Sequence, residues 1–392
     1  MELNDRIAAI AGRLAPRLTH LRKTLHQHPE LAFEEHETAR AVAEFLQGLG
    51  LSVKTGVGKT GVVATLQGAR PGRTIGIRAD MDALPIHEQT GLAFASKLPG
   101  KMHACGHDVH TVIALGVAAT LAELRDSLSG SVKFIFQPAE ETLSGARAMI
   151  ADGVLDDPRL DLILGYHNWP AVQAGQVGYN AGAVMSAADA FDITLKGRDG
   201  HGAHPHLAVD ALAAGAHLVS QIQTIVSREV KPVSAAVVTI GEFHAGRARN
   251  VIAGSAELKG IVRTLEPGLS EKIEAAIRRM LEGIKTGMRV DYTLDWKRMA
   301  PPLRNNREVL EKFLASARSA LGGENVLELP EPSMGSEDFA WFAEAVPAAH
   351  LRIGSKIEGL ETAIHRSNYD CNELAIPVGV RVLARAIVDL SK

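Results

Sequence analysis

Residues 74–78, 132–136 and 160–165 are apolar runs without the two-residue alternation that marks a strand with one wet face. A strand that needs no polar side is buried on both faces, so these runs predict a parallel sheet covered by helices. Between them the apolar spacing lengthens. Val112, Leu115, Ala119 and Ala122 recur at a helical interval behind Asp108, which predicts a helix over 108–125 capped by that aspartate.

Past residue 183 the texture changes. The pattern reads as a strand at 191–195, a helix at 208–228, strands at 235–242 and 256–263, a helix at 270–285 and a strand at 288–294. That order, β-α-β-β-α-β, is a ferredoxin-like unit able to fold by itself. Asn180-Ala-Gly and Met299-Ala-Pro-Pro punctuate its two ends. Residues 305–392 return to alternating helices and apolar runs. The expected organisation is an α/β domain from 1–182 and 295–392, interrupted by an α+β insertion at 183–294, with no internal repeat.

Composition narrows the classes. The chain has 392 residues, 46% hydrophobic and 22% charged, an ordinary globular mixture too long for one small core. A net charge of −3 without a dense Lys/Arg run excludes a nucleic-acid footprint. No apolar run reaches membrane-spanning length. Residues 1–30 read as an amphipathic helix broken by charges, unlike a secretory leader. With Cys105 and Cys371 as its only cysteines, the chain has no disulfide framework, and a cytoplasmic setting is expected.

In open α/β sheets ligands gather beyond the carboxyl ends of strands, so the residues just after each buried run carry the chemistry. Asp80 and Asp82 come after the first, Glu140 and Glu141 after the second, His167 after the third. Cys105 and His107 stand in a glycine-containing turn before the helix at 108, both capable of holding a metal. Singly, a buried cysteine, a core histidine or a solvated glutamate pair would be ordinary, and Asp80 and Asp82 also suit Asx-turns. Their recurrence at successive strand ends points to one metal-binding rim. Adjacent glutamates at a strand end are expected to diverge, so that one binds metal while the other faces a water and exchanges its proton.

Several motifs resemble aminoacylase/carboxypeptidase-type dinuclear metallohydrolases. They are Arg22-Lys-Thr-Leu-His-Gln-His-Pro-Glu, Arg78-Ala-Asp-Met-Asp-Ala-Leu-Pro, Met102-His-Ala-Cys-Gly-His-Asp, Gln137-Pro-Ala-Glu-Glu and Ser336-Glu-Asp-Phe. The similarity runs from about Leu21 to the end, and the cysteine motif matches the branch of hippurate and indole-acetyl-amino-acid hydrolases. The resemblance implies a zinc-exopeptidase-like catalytic domain with a mostly parallel sheet and an inserted ferredoxin-like dimerisation, or lid, domain. It implies two divalent ions per subunit, manganese or zinc, with nickel or cobalt as alternatives.

The implied ligands are Cys105, His107, Glu141, His167 and His365, with Cys105 where distant relatives carry a bridging aspartate. Asp80 takes the place of a ligand histidine in the wider family, a role that passes to His107 here, while Asp82 matches the acid that orients the site. Glu140 is the implied general base. In the insertion, His201 resembles the histidine that stabilises the oxyanion in the partner subunit's site, and Asn250 and Arg263 match positions that hold a substrate carboxylate. An exposed strand arginine would read the same as Arg263. The implied activity is hydrolysis of N-acyl amino acids by a homodimer or higher assembly, hippurate being the leading substrate. A carboxypeptidase or dipeptidase, or a silent metal-binding scaffold, are the alternatives.

Overall fold

The computed structural model describes residues 2–392. It divides into two compact units, one holding the chain up to Val184 with Arg304–Pro332 and Asp338–Lys392, the other Met185–Leu303 with Ser333–Glu337.

The first unit opens with helices α1 (Leu3–Gln27) and α2 (His36–Gly48), then strands β1 (Ser52–Val57), β2 (Gly61–Gln67) and β3 (Arg70–Asp80). Helix α3 (His107–Glu123), β4 (Ser129–Gln137), β5 (Leu162–Gln173) and β6 (Val177–Tyr179) come next, with late strands Val326–Glu328 and Ala348–Lys356. The sheet order is β1-β2-β4-β3-β5, then Ala348–Lys356, β6 and Val326–Glu328. Its centre is parallel: β3 runs with β4 and β5, and β5 with Ala348–Lys356. The β1–β2 edge is antiparallel.

The unbroken apolar runs become strands closed on both faces. Every residue of β4 is buried, Phe134 and Phe136 among them, each contributing about 1.5–3 kcal/mol by leaving water. Helix α3 is also buried from His107 to Leu121. It lies against β3, β4 and β5, while α1 and Ala375–Leu390 pack over it.

Asp108 is not the cap of α3. Gly106 holds that position, and the Asp108 carboxylate instead accepts bonds from Arg22 Nε and His26 Nδ1, both at 2.8 Å. Burial rewards the ion pair over the local cap, because an unpaired guanidinium at this depth would be far costlier than a missing N-cap.

The second unit has four antiparallel strands in the order Ala236–Ala245, Ser255–Thr264, Ala187–Lys196, Asp291–Ala300, the ferredoxin-like arrangement. Along Ser255–Thr264 burial alternates, and Ala256, Leu258 and Val262 join Leu218 and Ile277 of the two helices in one core. The last strand starts later than the sequence suggests because the preceding helix runs to Met288 and stops at Arg289, whose φ of 61° is left-handed. The boundary expected at 294 therefore falls inside a strand.

No helix among the described residues is long and apolar enough to cross a membrane.

Candidate metal centre

The turn before α3 brings the first two donors together. Gly106 adopts φ 87°, and a Cβ there would run into the Asn168 side chain and the Tyr369 hydroxyl. Only glycine allows that bend at this depth. On one side of it Cys105 is buried with Sγ 3.3 Å from His167 Nε2. On the other, His107 begins the helix and donates Nδ1–H to the Asp82 carbonyl at 2.9 Å.

His167, on β5, donates Nδ1–H to the Asn168 carbonyl at 2.6 Å. Both rings therefore have Nδ1 fixed by a backbone carbonyl, and each turns Nε2 toward the centre. Metal-binding histidines are oriented in this way.

Glu140 and Glu141 follow β4 through Ala139, which adopts a left-handed φ of 53°. Their side chains do not diverge: Glu140 Oε2 lies 3.9 Å and Glu141 Oε1 3.8 Å from His107 Nε2. The pair sits in a turn where the alternation of an extended strand has ended, so consecutive side chains can face one way. The remaining oxygens separate them. Glu140 Oε1 is 3.4 Å from the Asp338 N–H, and Glu141 Oε2 is 3.3 Å from His365 Nε2. His365 has φ 65° and donates its N–H to the Ala104 carbonyl at 2.7 Å, tying it to the Cys105 turn.

Three donor triads result: Cys105, His107 and His167; Cys105, Glu141 and His365; His107, Glu140 and Glu141, each with its ligand atoms within 4.8 Å of one another. Within these three, Cys105, His107 and Glu141 each belong to two. Among the described residues, His107 Nε2 and Glu141 Oε1 are buried without hydrogen-bond partners. Such orphans are costly unless a ligand satisfies them. Thiolate, imidazole and carboxylate donors with two orphaned atoms facing one space fit a pair of divalent cations.

Charge agrees with that fit. Burial alone would lower the His107 pKa, but the Asp80, Asp82 and Glu141 carboxylates raise it to about 10. Burial, followed by Glu141 and Glu140, pushes the Cys105 thiol well up, a bias that a bound cation reverses. Burial and then the neighbouring His110 hold His167 well below the usual imidazole range, so it is a neutral donor.

Asp80 approaches the same space, 3.7 Å from His107 Nε2, in a fourth triad with His107 and His110. Its oxygens are already engaged, Oδ1 by His110 Nδ1 and Oδ2 by Arg78, each at 2.6 Å. His110 was not singled out from the sequence, although it lies one helical turn beyond His107 and that spacing was the available signal. Asp338 also went without a role. It binds Arg78 at 2.9 Å and Gln137 Nε2 at 2.8 Å, bracing the strand ends of β3 and β4.

His201, Asn250 and Arg263 belong to the second unit. His201 lies on Gly200–His201, paired with Val251–Ile252, and its Nδ1 accepts the Ala203 N–H at 3.1 Å. The Asn250 carbonyl accepts the Gly202 N–H at 2.8 Å, so this short ladder brings His201 and Asn250 together. Arg263 lies instead on Ser255–Thr264, half-buried, with a guanidinium nitrogen 3.2 Å from the Val262 carbonyl. Burial lowers its pKa.

Residues 76–389 match the model of peptidase family M20/M25/M40. The chain is 44% identical over 272 residues to the N-acyl-L-amino acid amidohydrolase of Geobacillus stearothermophilus, covering 69% of this chain and 73% of that one. It is 37% identical over 366 residues to the hippurate hydrolase of Campylobacter jejuni, covering 93% and 92%. A solved Bacillus subtilis structure, described as a dinuclear metal binding peptidase from the M20 family, superposes with a TM-score of 0.84 at 35% identity, over 97% of this chain and 99% of that one.

Proposed function

The chain belongs to peptidase family M20/M25/M40 and is an amide-hydrolysing enzyme, and from that premise we propose that it cleaves N-acyl amino acids into a carboxylic acid and an amino acid with two divalent metal ions. The observation that carries the proposal is the placement of both Glu140 and Glu141 against His107 Nε2, at 3.9 and 3.8 Å, beside a Cys105 shared by two donor triads. The residues that would hold the two ions are Cys105, His107, Glu141, His167 and His365. When bound, such ions polarise an amide carbonyl and bring the pKa of a water toward about 7.

The protein's own groups do the rest. Glu140 accepts the proton of the attacking water and passes it to the departing amine. Asp82 orients Glu140, Glu141 and His107. The partner subunit's His201 donates to the oxyanion across a dimer formed by the inserted domain, where one positioned donor is worth about 3 kcal/mol. Asn250 and Arg263 hold the substrate carboxylate, Arg263 through its planar fork. A hippurate-like substrate, with an aromatic acyl group on a small amino acid, is the reading supported by the 37% identical relative named for that activity.

Two substitutions separate base from ligand. Glu140→Gln is expected to keep the metal content and reduce kcat by about 10² or more, since general bases contribute about 10²–10⁴-fold. Cys105→Ala is expected to lower the metal bound per chain. Wild-type turnover in the first, or wild-type stoichiometry in the second, refutes the corresponding role.

A further inference from the structure

Outside the donor set, one fully buried carboxylate has a distinct arrangement. Glu35, at the N-cap of α2, accepts the Phe33 N–H at 3.0 Å and the Ala139 N–H at 2.8 Å on Oε1, and the Thr60 hydroxyl at 2.5 Å on Oε2. The next two amides, of Glu140 and Glu141, go to Asp82 Oδ1 and Oδ2 at 3.0 and 2.9 Å. Three consecutive N–H groups thus point at two carboxylates. Successive N–H groups around a left-handed residue form an anion-binding concavity, and Ala139 has φ 53°. Here the anions belong to the protein itself.

Glu35 does not cap its own helix with a side-chain bond; its Ala139 contact spans 104 positions in the chain. That N–H belongs to the Pro138–Ala139 peptide, so Glu35 fixes the backbone entering the left-handed Ala139. The turn at Ala139 then sets the direction of the Ala139–Glu140 peptide, whose N–H Asp82 holds, and with it where the Glu140 side chain emerges. A left-handed alanine is a strained conformation that persists only where its surroundings impose it.

We propose that Glu35 is a positioning residue for Glu140, fixing the Pro138–Ala139 peptide at the start of the left-handed turn so that the base points into the metal centre, with Thr60 locking Glu35 in turn. The proposal rests on the reading of Glu140 as general base. What Glu35 supplies is an acceptor, and its charge is not required. A glutamine can present its carbonyl oxygen to both N–H groups while its amide donates to the Thr60 oxygen. A methionine of similar reach leaves both N–H groups buried without a partner. A displacement of about 1 Å at a reacting group can cost about 10²-fold in rate.

The test uses the full chain, loaded with metal, assayed for kcat and KM on hippurate, with metal per chain and thermal midpoint measured beside them. Glu35→Met is expected to lower kcat by about 10–10²-fold with KM and metal content unchanged, and Glu35→Gln to stay within about threefold of wild type. Wild-type kcat in Glu35→Met, or equal damage in Glu35→Gln, overturns the proposal. Should Glu35→Met fail to fold, the Thr60 pair decides: Thr60→Val is expected to lower kcat severalfold and Thr60→Ser to restore it, and equal kcat in both overturns it. Glu140→Gln in the same assay keeps the two readings apart. An inactive Glu140→Gln beside a fully active Glu35→Met sinks the positioning role alone, whereas an active Glu140→Gln sinks the base.

Discussion

The Asp82 carboxylate accepts the backbone N–H of Glu140 at 3.0 Å through Oδ1, and its other oxygen takes the N–H of Glu141 at 2.9 Å. The carbonyl of the same residue holds His107 Nδ1 at 2.9 Å. One aspartate at the end of β3 therefore orients the proposed base and two proposed ligands. Asp82→Asn keeps the shape but has a single side-chain acceptor, so one of the two amides loses its partner. We expect metal affinity to fall about 10–100-fold, the usual effect of losing an outer partner, with kcat falling beside it. Competitive chelator titration and steady-state kinetics check this, and wild-type values in both contradict it.

Gly106 is the backbone hinge of the centre. Gly106→Ala places a methyl against Asn168 and the Tyr369 hydroxyl in a left-handed conformation. The conformation alone costs about 1–2 kcal/mol, and the contact adds to it. The expected result is a lower thermal midpoint together with reduced metal content, since Cys105 and His107 flank the hinge. A variant with unchanged metal stoichiometry would show that the turn does not set the donor geometry.

Much of this fold was legible because burial writes itself into composition. Strands covered on both faces cannot alternate, and β4 and the core of β3 and β5 stand where the unbroken apolar runs are. The ferredoxin-like order was readable from the lengths of its segments. The strand-end logic reached Cys105, His107, Glu140, Glu141 and His167, because a parallel sheet has one end at which ligands collect. It could not reach His365, whose left-handed backbone and bond to Ala104 arise from a contact far across the chain. Nor could it see that Glu140 and Glu141 converge, since the period of two ends at Ala139. The Asp108 cap failed for a tertiary reason, because Arg22 and His26 arrive from α1 and take the carboxylate. Local propensity does not anticipate a partner 86 residues away.

That same cluster predicts a pH dependence of stability. Burial would lower the His26 pKa, but hydrogen bonds to Asp108 and Glu88 raise it from 6.5 to about 9. A raised folded-state pKa means that the stabilisation is complete below about pH 6.5 and is lost as pH climbs through about 9. The thermal midpoint of the wild type should therefore fall across that window. His26→Asn retains a donor toward Asp108 without the titrating charge and should flatten the profile. Parallel profiles in the two proteins would remove His26 as the cause.

The proposed action of His201 in trans makes complementation the test. His201→Ala and Glu140→Gln subunits, each inactive as homodimers, should form mixed dimers in which one of the two sites has an intact Glu140 and receives an intact His201 from its partner. Recovery of a fraction of wild-type kcat after mixing and reassociation is expected. Complete inactivity in heterodimers isolated with two affinity tags contradicts the trans assignment.

The central claim is metal-dependent cleavage of N-acyl amino acids, and the most direct test is amino-acid release by metal-stripped protein resupplied separately with manganese, zinc, nickel or cobalt. The substrates are hippurate, N-acetyl-methionine and free dipeptides. The account predicts no release by stripped protein and restored release from acyl amino acids, hippurate first, with at least one of the metals. Cleavage confined to dipeptides with a free amino group, or silence toward every acyl amino acid with every metal, would contradict it.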